Sequence, residues 1–469
     1  MKKILCFLVS FILIFTVLSV SSCAETKTPK GKYGITMKLD GDTVNGELSY
    51  TFYGSDEIKF NLYSNAYREN AKYFVTESGN LSRVYPDGID YGGTEIKTVS
   101  LNGENASFEL IGEDLNILSV KLPSGKEQEN TVKIQFETKI PKCRNRLGIS
   151  GSVIRITDCF PVACAKIEGE YKECEYSPYG DPYYAEVSDY EVEFSVPSEK
   201  VIASSAYPVS VIQDGEFTTY TYKAENMRDF AFALSEEYKV KTAKSEYADI
   251  YYYSKADDET YVDTVKSAID YFSKTFGAFA HDTFSVAETP FFAGGMEYSG
   301  MCFVADDLAE EDKKIALIHE TAHEWWHSAV GFDETEEAYL DEGLAQYSTY
   351  LFLKNNGYKE EAESMLERAK TAYKSFFDIK TLLSGEADTS MKRKLNDFKG
   401  EYEYVNIAYN KSLIMFAEYE KAVGESRAIK GLRNFYKNNL YKTASLQELI
   451  SSLGLEEFFS SYVNGKVII

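Results

Sequence analysis

Near residue 243 the apolar residues change period, and this constrains the fold more than any other feature of the chain. Upstream, runs such as Thr131–Thr138 (T-V-K-I-Q-F-E-T) and Tyr190–Val196 (Y-E-V-E-F-S-V) alternate apolar and polar residues. That period buries one face of a strand. Turn residues punctuate these runs at short intervals, as at Asn102-Gly103 and Pro123-Ser124-Gly125. Downstream, Val262, Val265, Ile269, Phe272 and Phe276 recur at helical spacing, with Gly277 as a stop. Strands are expected at Ala248–Tyr253 and Thr283–Thr289, and helices dominate from 311. An α+β chain follows: an antiparallel β-rich domain over 24–243, then a mainly helical domain over 244–469.

The charge balance excludes one large class of function. With 50 Lys+Arg against 74 Asp+Glu the net charge is −24, so no basic surplus exists to neutralise phosphates and no nucleic-acid partner is expected. Residues 1–23 read as an export leader: Lys2 and Lys3, an apolar run from Ile4 to Val20, then Ser21-Ser22-Cys23. Small residues before that cysteine resemble a bacterial lipoprotein signal. This implies acylation of Cys23, a membrane-lipid contact through it, and an extracytoplasmic location at the membrane. A secreted chain is the alternative. Cys143, Cys159, Cys164, Cys174 and Cys302 match no zinc-knuckle spacing and are expected to be buried or disulfide-paired structural residues.

Chemistry concentrates at His319-Glu320-Thr321-Ala322-His323. Histidines four apart on a helix share a face, so both imidazoles reach one Zn2+ ion. Glu320 lies beside them, where it can take a proton from water. Ile315, Leu317, Ile318 and Ala322 make the segment credible as a buried helix, with no Pro or Gly to break it. His327 lies eight residues from His319, about 12 Å along a straight helix, too far to share the ion. Glu324-Trp325-Trp326 gives no sign of a break, so His327 is expected to be a polar residue at the helix end. Glu342 is the expected third ligand, on a second helix that Asp333 and Glu336 start in the manner of a capping box.

His319-Glu-x-x-His323 followed after eighteen residues by Glu342 resembles the gluzincin aminopeptidases, the family of membrane alanyl aminopeptidase. A second motif agrees: Gly294-Gly295-Met296-Glu297-Tyr298 is similar to the family's G-x-M-E segment. The resemblance implies a saddle-like β-rich domain and a thermolysin-like catalytic domain. It implies one Zn2+ ion and peptide substrates with a free N-terminus, whose α-ammonium Glu297 would hold. Gly294, Gly295 and Met296 would let the substrate backbone approach as an added strand. It also implies an oxyanion-stabilising tyrosine, for which Tyr409-Asn410-Lys411 fits the family pattern, with Tyr404 the nearest competitor and Tyr402 also at hand. Ser412 stands where the family usually has Gly. The chain ends about 60 residues after Tyr409, which suggests a more open site than in longer members. A thermolysin-type endopeptidase, a non-catalytic peptide-binding lipoprotein and hydrolysis of a non-peptide substrate are the rival readings.

Overall fold

The computed structural model describes residues 30–468 apart from 124, 126 and 258. The leader and Cys23 lie outside the described residues. Among the described residues no helix is long and apolar enough to cross a membrane.

Upstream alternation yields one large sheet. Its middle strands are β1 (Lys32–Asp40), β2 (Thr43–Gly54), β3 (Gln128–Lys139) and β4 (Ser188–Pro197), in spatial order β4-β1-β2-β3 within an eight-stranded sheet. In β3, Val132, Ile134, Phe136 and Thr138 are buried while Lys133 and Gln135 face outward. In β4, Tyr190, Val192, Phe194 and Val196 do the same. Ile35, Leu48 and Ile134 therefore stack on one face across adjacent strands. Pairing is antiparallel except between β1 and β4, which run parallel with Ile35 opposite Val192. Two four-stranded sheets pack on this face, contributing Phe60, Leu118, Ile156 and Leu234 to the same core.

The helical half starts with a five-stranded sheet of β5 (Lys239–Lys244), β6 (Asp249–Ser254), β7 (Thr283–Thr289), β8 (Gly295–Tyr298) and β9 (Met301–Ala305). Its order is β5-β6-β7-β9-β8, so β8, which carries Gly295, Met296 and Glu297, is an edge strand. Helix α1 (Thr260–Thr275) buries Val262, Val265, Ile269 and Phe272, the face its spacing predicts. Helix α2 (Glu310–His323) opens with Glu310, Glu311 and Asp312, which favour the positive end of its dipole, and finishes on the two histidines. Helix α3 (Asp341–Asn355) packs against α2 and carries Glu342 in its first turn. Helix α4 (Ser412–Val423) follows Tyr409.

Two local expectations are corrected. Helix α2 does not run on smoothly: Glu324–Ala329 forms a π-helical turn in which Trp326 leaves helical geometry (φ −117, ψ 35). Burial of both tryptophans drives this, since Trp325 Nε1 donates to the Gly277 carbonyl and Trp326 Nε1 to Ser348 Oγ, and a regular helix would present only one of two neighbouring residues inward. Nor does Asp333 cap the helix that holds Glu342. It precedes a separate short turn, Glu334–Glu337, and its carboxylate instead accepts from Thr335 Oγ1 and pairs with Lys172. The cysteines are buried as expected: Cys143, Cys159, Cys164, Cys174 and Cys302 are all free thiols, so no disulfide joins the four clustered ones.

Candidate active site

Helix α2 delivers His319 and His323 one turn apart, and α3 brings Glu342 up to them. His319 Nε2 lies 3.1 Å from His323 Nε2 and 3.2 Å from Glu342 Oε2, and His323 Nε2 lies 3.5 Å from that same oxygen. Donors held at about 2.0–2.1 Å around a tetrahedral zinc stand roughly 3.3 Å apart, so the three edges fit a zinc set with a fourth position open. The imidazoles reach the centre through Nε2. Their buried Nδ1 atoms make no hydrogen bond, although Glu297 Oε1 is 3.9 Å from that of His323.

The electrostatics suit a cation. Burial alone would push the Glu342 carboxyl up, but the two imidazoles override it and hold the group well below the usual carboxylate range. Burial likewise works against a charge on His323, yet Glu297 and Glu342 raise it to about 10. Burial, then the neighbouring Glu297, pushes the Glu320 carboxyl well up, the direction a proton-carrying group needs. One Glu320 oxygen is buried without a partner.

The edge strand is built around that carboxylate. A Cβ on residue 295 would lie 2.6 Å from both Cγ and Cδ of Glu320, closer than side chains ever pack. Gly295 is therefore what lets α2 lie against β8 with Glu320 between them. Gly294, Gly295, Met296, His319, Glu320 and Glu342 line a cavity of about 330 Å³. Glu297 does not line it; only 4% exposed, it lies beneath the strand with one oxygen unpartnered.

Tyr409 and Tyr404 are separated by what they touch. The Tyr409 hydroxyl donates to Glu342 Oε1 and its ring stacks 6.0 Å from that of His319. Burial, then the Glu342 charge, pushes its pKa well up, so the phenol keeps its proton. Tyr404 packs edge-on against Tyr409 at 5.7 Å, with its hydroxyl directed at Gly180 instead. Ser412 is accommodated because the residue facing it on α3 is Gly343, where a Cβ would meet that of Ser412 at 2.6 Å.

His327 differs from expectation. The turn at Trp326 carries it into the interior, where Nδ1 is 2.8 Å from Glu334 Oε1 and Nε2 is 3.2 Å from Asp229 Oδ2. Burial opposes its charge, but Glu334 and Asp229 raise its pKa well above the ordinary value. Several other polar residues were not foreseen. Arg146 crosses from the β-rich half to the cavity wall, with Nε 2.8 Å from Met296 Sδ and one terminal nitrogen donating to the Gly180 carbonyl. The buried Asp181 and Glu334 and the partly buried Asp229 surround His327. None sits in a motif. Glu334 stands within the acidic run Asp333–Glu337, which reads as a helix start, and the Gly180-Asp181 pair reads as a turn.

Two histidines one turn apart on a helix, completed by a glutamate from the next helix beside a mixed sheet, make a donor set that fits one Zn2+ ion, the arrangement of the gluzincin class of metallopeptidase fold. Residues 259–464 match the Peptidase family M1 domain. Across 94% of this chain and 94% of that one, the fold is similar to the M1 zinc metallopeptidase of Deinococcus radiodurans, with a TM-score of 0.63 at 14% identity. Yeast LTA4 hydrolase in complex with bestatin is similar over 93% of this chain and 68% of its own, with a TM-score of 0.63 at 14% identity. In sequence, "Probable aminopeptidase 1" of Sulfurisphaera tokodaii is 22% identical over 388 residues, which is 78% of this chain and 47% of that protein. Mitochondrial aminopeptidase 2 of Saccharomyces cerevisiae is 23% identical over 260 residues, 52% of this chain and 27% of that protein. The chain thus spans less than half the length of these two relatives.

Proposed function

We propose that this protein is a zinc-dependent aminopeptidase that removes the N-terminal residue of peptides. The observation that carries the reading is the convergence of His319, His323 and Glu342 at tetrahedral spacing beneath a cavity that Glu320 and Tyr409 also reach. Zinc held there supplies Lewis acidity toward an amide carbonyl and toward water. Glu320, buried and raised in pKa, takes the proton of the attacking water and returns it to the departing amine. Tyr409 exchanges its bond to Glu342 for one to the carbonyl oxygen as negative charge develops there.

Glu297 makes the site select a chain end. Its carboxylate, buried beneath β8, would turn toward the cavity to accept an α-ammonium, whose pKa near ~7.7–8.0 keeps it mostly charged at neutral pH. Edge strand β8 offers backbone groups on which an extended peptide can pair. A structural relative in Deinococcus radiodurans has been solved bound to a Tyr-Ser-Ala substrate, which supports a short peptide as the ligand. Extracytoplasmic anchoring through acylated Cys23 belongs to the same proposal and rests on the leader-like run that precedes it. A panel of aminoacyl-amide substrates tests the activity. Turnover should vanish on chelation and return with zinc; turnover that survives exhaustive chelation would refute the reading.

A further inference from the structure

Behind the catalytic set lies a second group of buried side chains, of which the peptidase reading uses only Glu297. Asp181, Glu297, His327 and Glu334 each offer a ligand atom, and these atoms all lie within 4.8 Å of one another. We propose that this cluster is a second cation site, structural rather than catalytic, which takes one divalent ion.

Two observations carry it. First, the polar atoms are not used up: Glu297 Oε1 and Glu334 Oε2 make no hydrogen bond in residues only 4% and 3% exposed, and Asp181 Oδ1 has only the Arg146 guanidinium 3.6 Å away. A buried carboxylate oxygen without a partner costs several kcal/mol, and networks left half-satisfied are rare. Second, there is room: Asp181, His327 and Glu334 line a cavity of about 30 Å³, the size for one water or one ion. Burial, then the neighbouring Glu334, pushes the Asp181 carboxyl well up, so an ion entering the cluster would displace a proton from it.

Three carboxylates with one imidazole suit Mn2+ or Zn2+. His327 would give up one of its two carboxylate partners to bind. The ion would join the Gly180-Asp181 turn of the β-rich half to Glu334 of the helical half, and would fix Glu297 from behind. The site stands on its own residues; only Glu297 is shared with the peptidase reading.

The test is metal content on the full chain, stripped with chelator, reloaded with Zn2+ alone or Mn2+ alone, desalted and measured by mass spectrometry. The wild type should hold two ions per chain, His319→Ala/His323→Ala one, and Asp181→Asn/Glu334→Gln one. Calorimetric titration of His319→Ala/His323→Ala with Mn2+ should show one site, and its melting temperature should rise with added metal, without any change to the cluster itself. One ion in the wild type and none in His319→Ala/His323→Ala would overturn the proposal and leave the carboxylates sharing protons. Failure of the peptidase reading looks different: two ions bound and no turnover.

Discussion

Gly295→Ala is the perturbation that asks most of the site geometry. The new methyl would stand 2.6 Å from Cγ and Cδ of Glu320, where ordinary contact begins at 3.4 Å. The carboxylate must therefore retreat by roughly 1 Å, and a displacement of that size at a reacting group costs about 10²-fold in rate, or about 2.7 kcal/mol of activation free energy. Residue 295 lies in extended edge strand, so alanine meets no backbone penalty, and the three atoms nearest the methyl all belong to Glu320. Steady-state kinetics on an aminoacyl amide should show kcat reduced about 10²-fold, with zinc content and melting temperature close to wild type. Glu320→Asp, one methylene shorter, makes room for the methyl. Added to Glu320→Asp, the alanine should then cost far less than it does alone, a coupling readable in a double-mutant cycle. Full activity in Gly295→Ala, or strictly additive losses, would show that Glu320 is not held where the strand places it.

Other consequences are quicker to state. Tyr409→Phe should lower kcat about 10²–10³-fold, as expected on removing one oxyanion donor, while zinc stays bound; Tyr404→Phe should change kcat far less, because its hydroxyl does not reach the ligands. Burial lowers His281 from 6.5 to about 4. The unfolded chain therefore binds this proton first, and stability present above pH 6.5 is lost as pH falls toward 4, by roughly 3 kcal/mol from this group. Denaturant melts between pH 4 and 7 should show that slope in the wild type and a shallower one in His281→Gln, which can keep the bond to Ser328.

How far the sequence reveals this arrangement depends on the range of the interaction. Periodic burial is local, so the strands holding Ile134 and Val192 and the helix holding Ile269 are legible residue by residue. The metal set is legible because its spacing is itself a geometric statement: i and i+4 on one helix, and a return helix eighteen residues later. The turn at Trp326 is not, since it arises from two adjacent tryptophans competing for the same core, which only tertiary packing reveals. For the same reason His327 reads as a helix-end residue and is in fact an interior ion pair. Arg146 and Asp181 lie some 150 residues from the histidines, in a half of the chain whose pattern announces only strands. A long-range contact made by a single side chain leaves no period to read.

The central claim is that this site cuts only at a free chain end. One tripeptide, offered to the zinc-loaded protein with a free and with an acetylated N-terminus, tests it most directly when the products are followed by mass spectrometry. Release of the first amino acid from the free peptide, with the acetylated one untouched, is the expected result, and Glu297→Ala should narrow the difference. Internal cleavage of the acetylated peptide at a comparable rate would contradict the account.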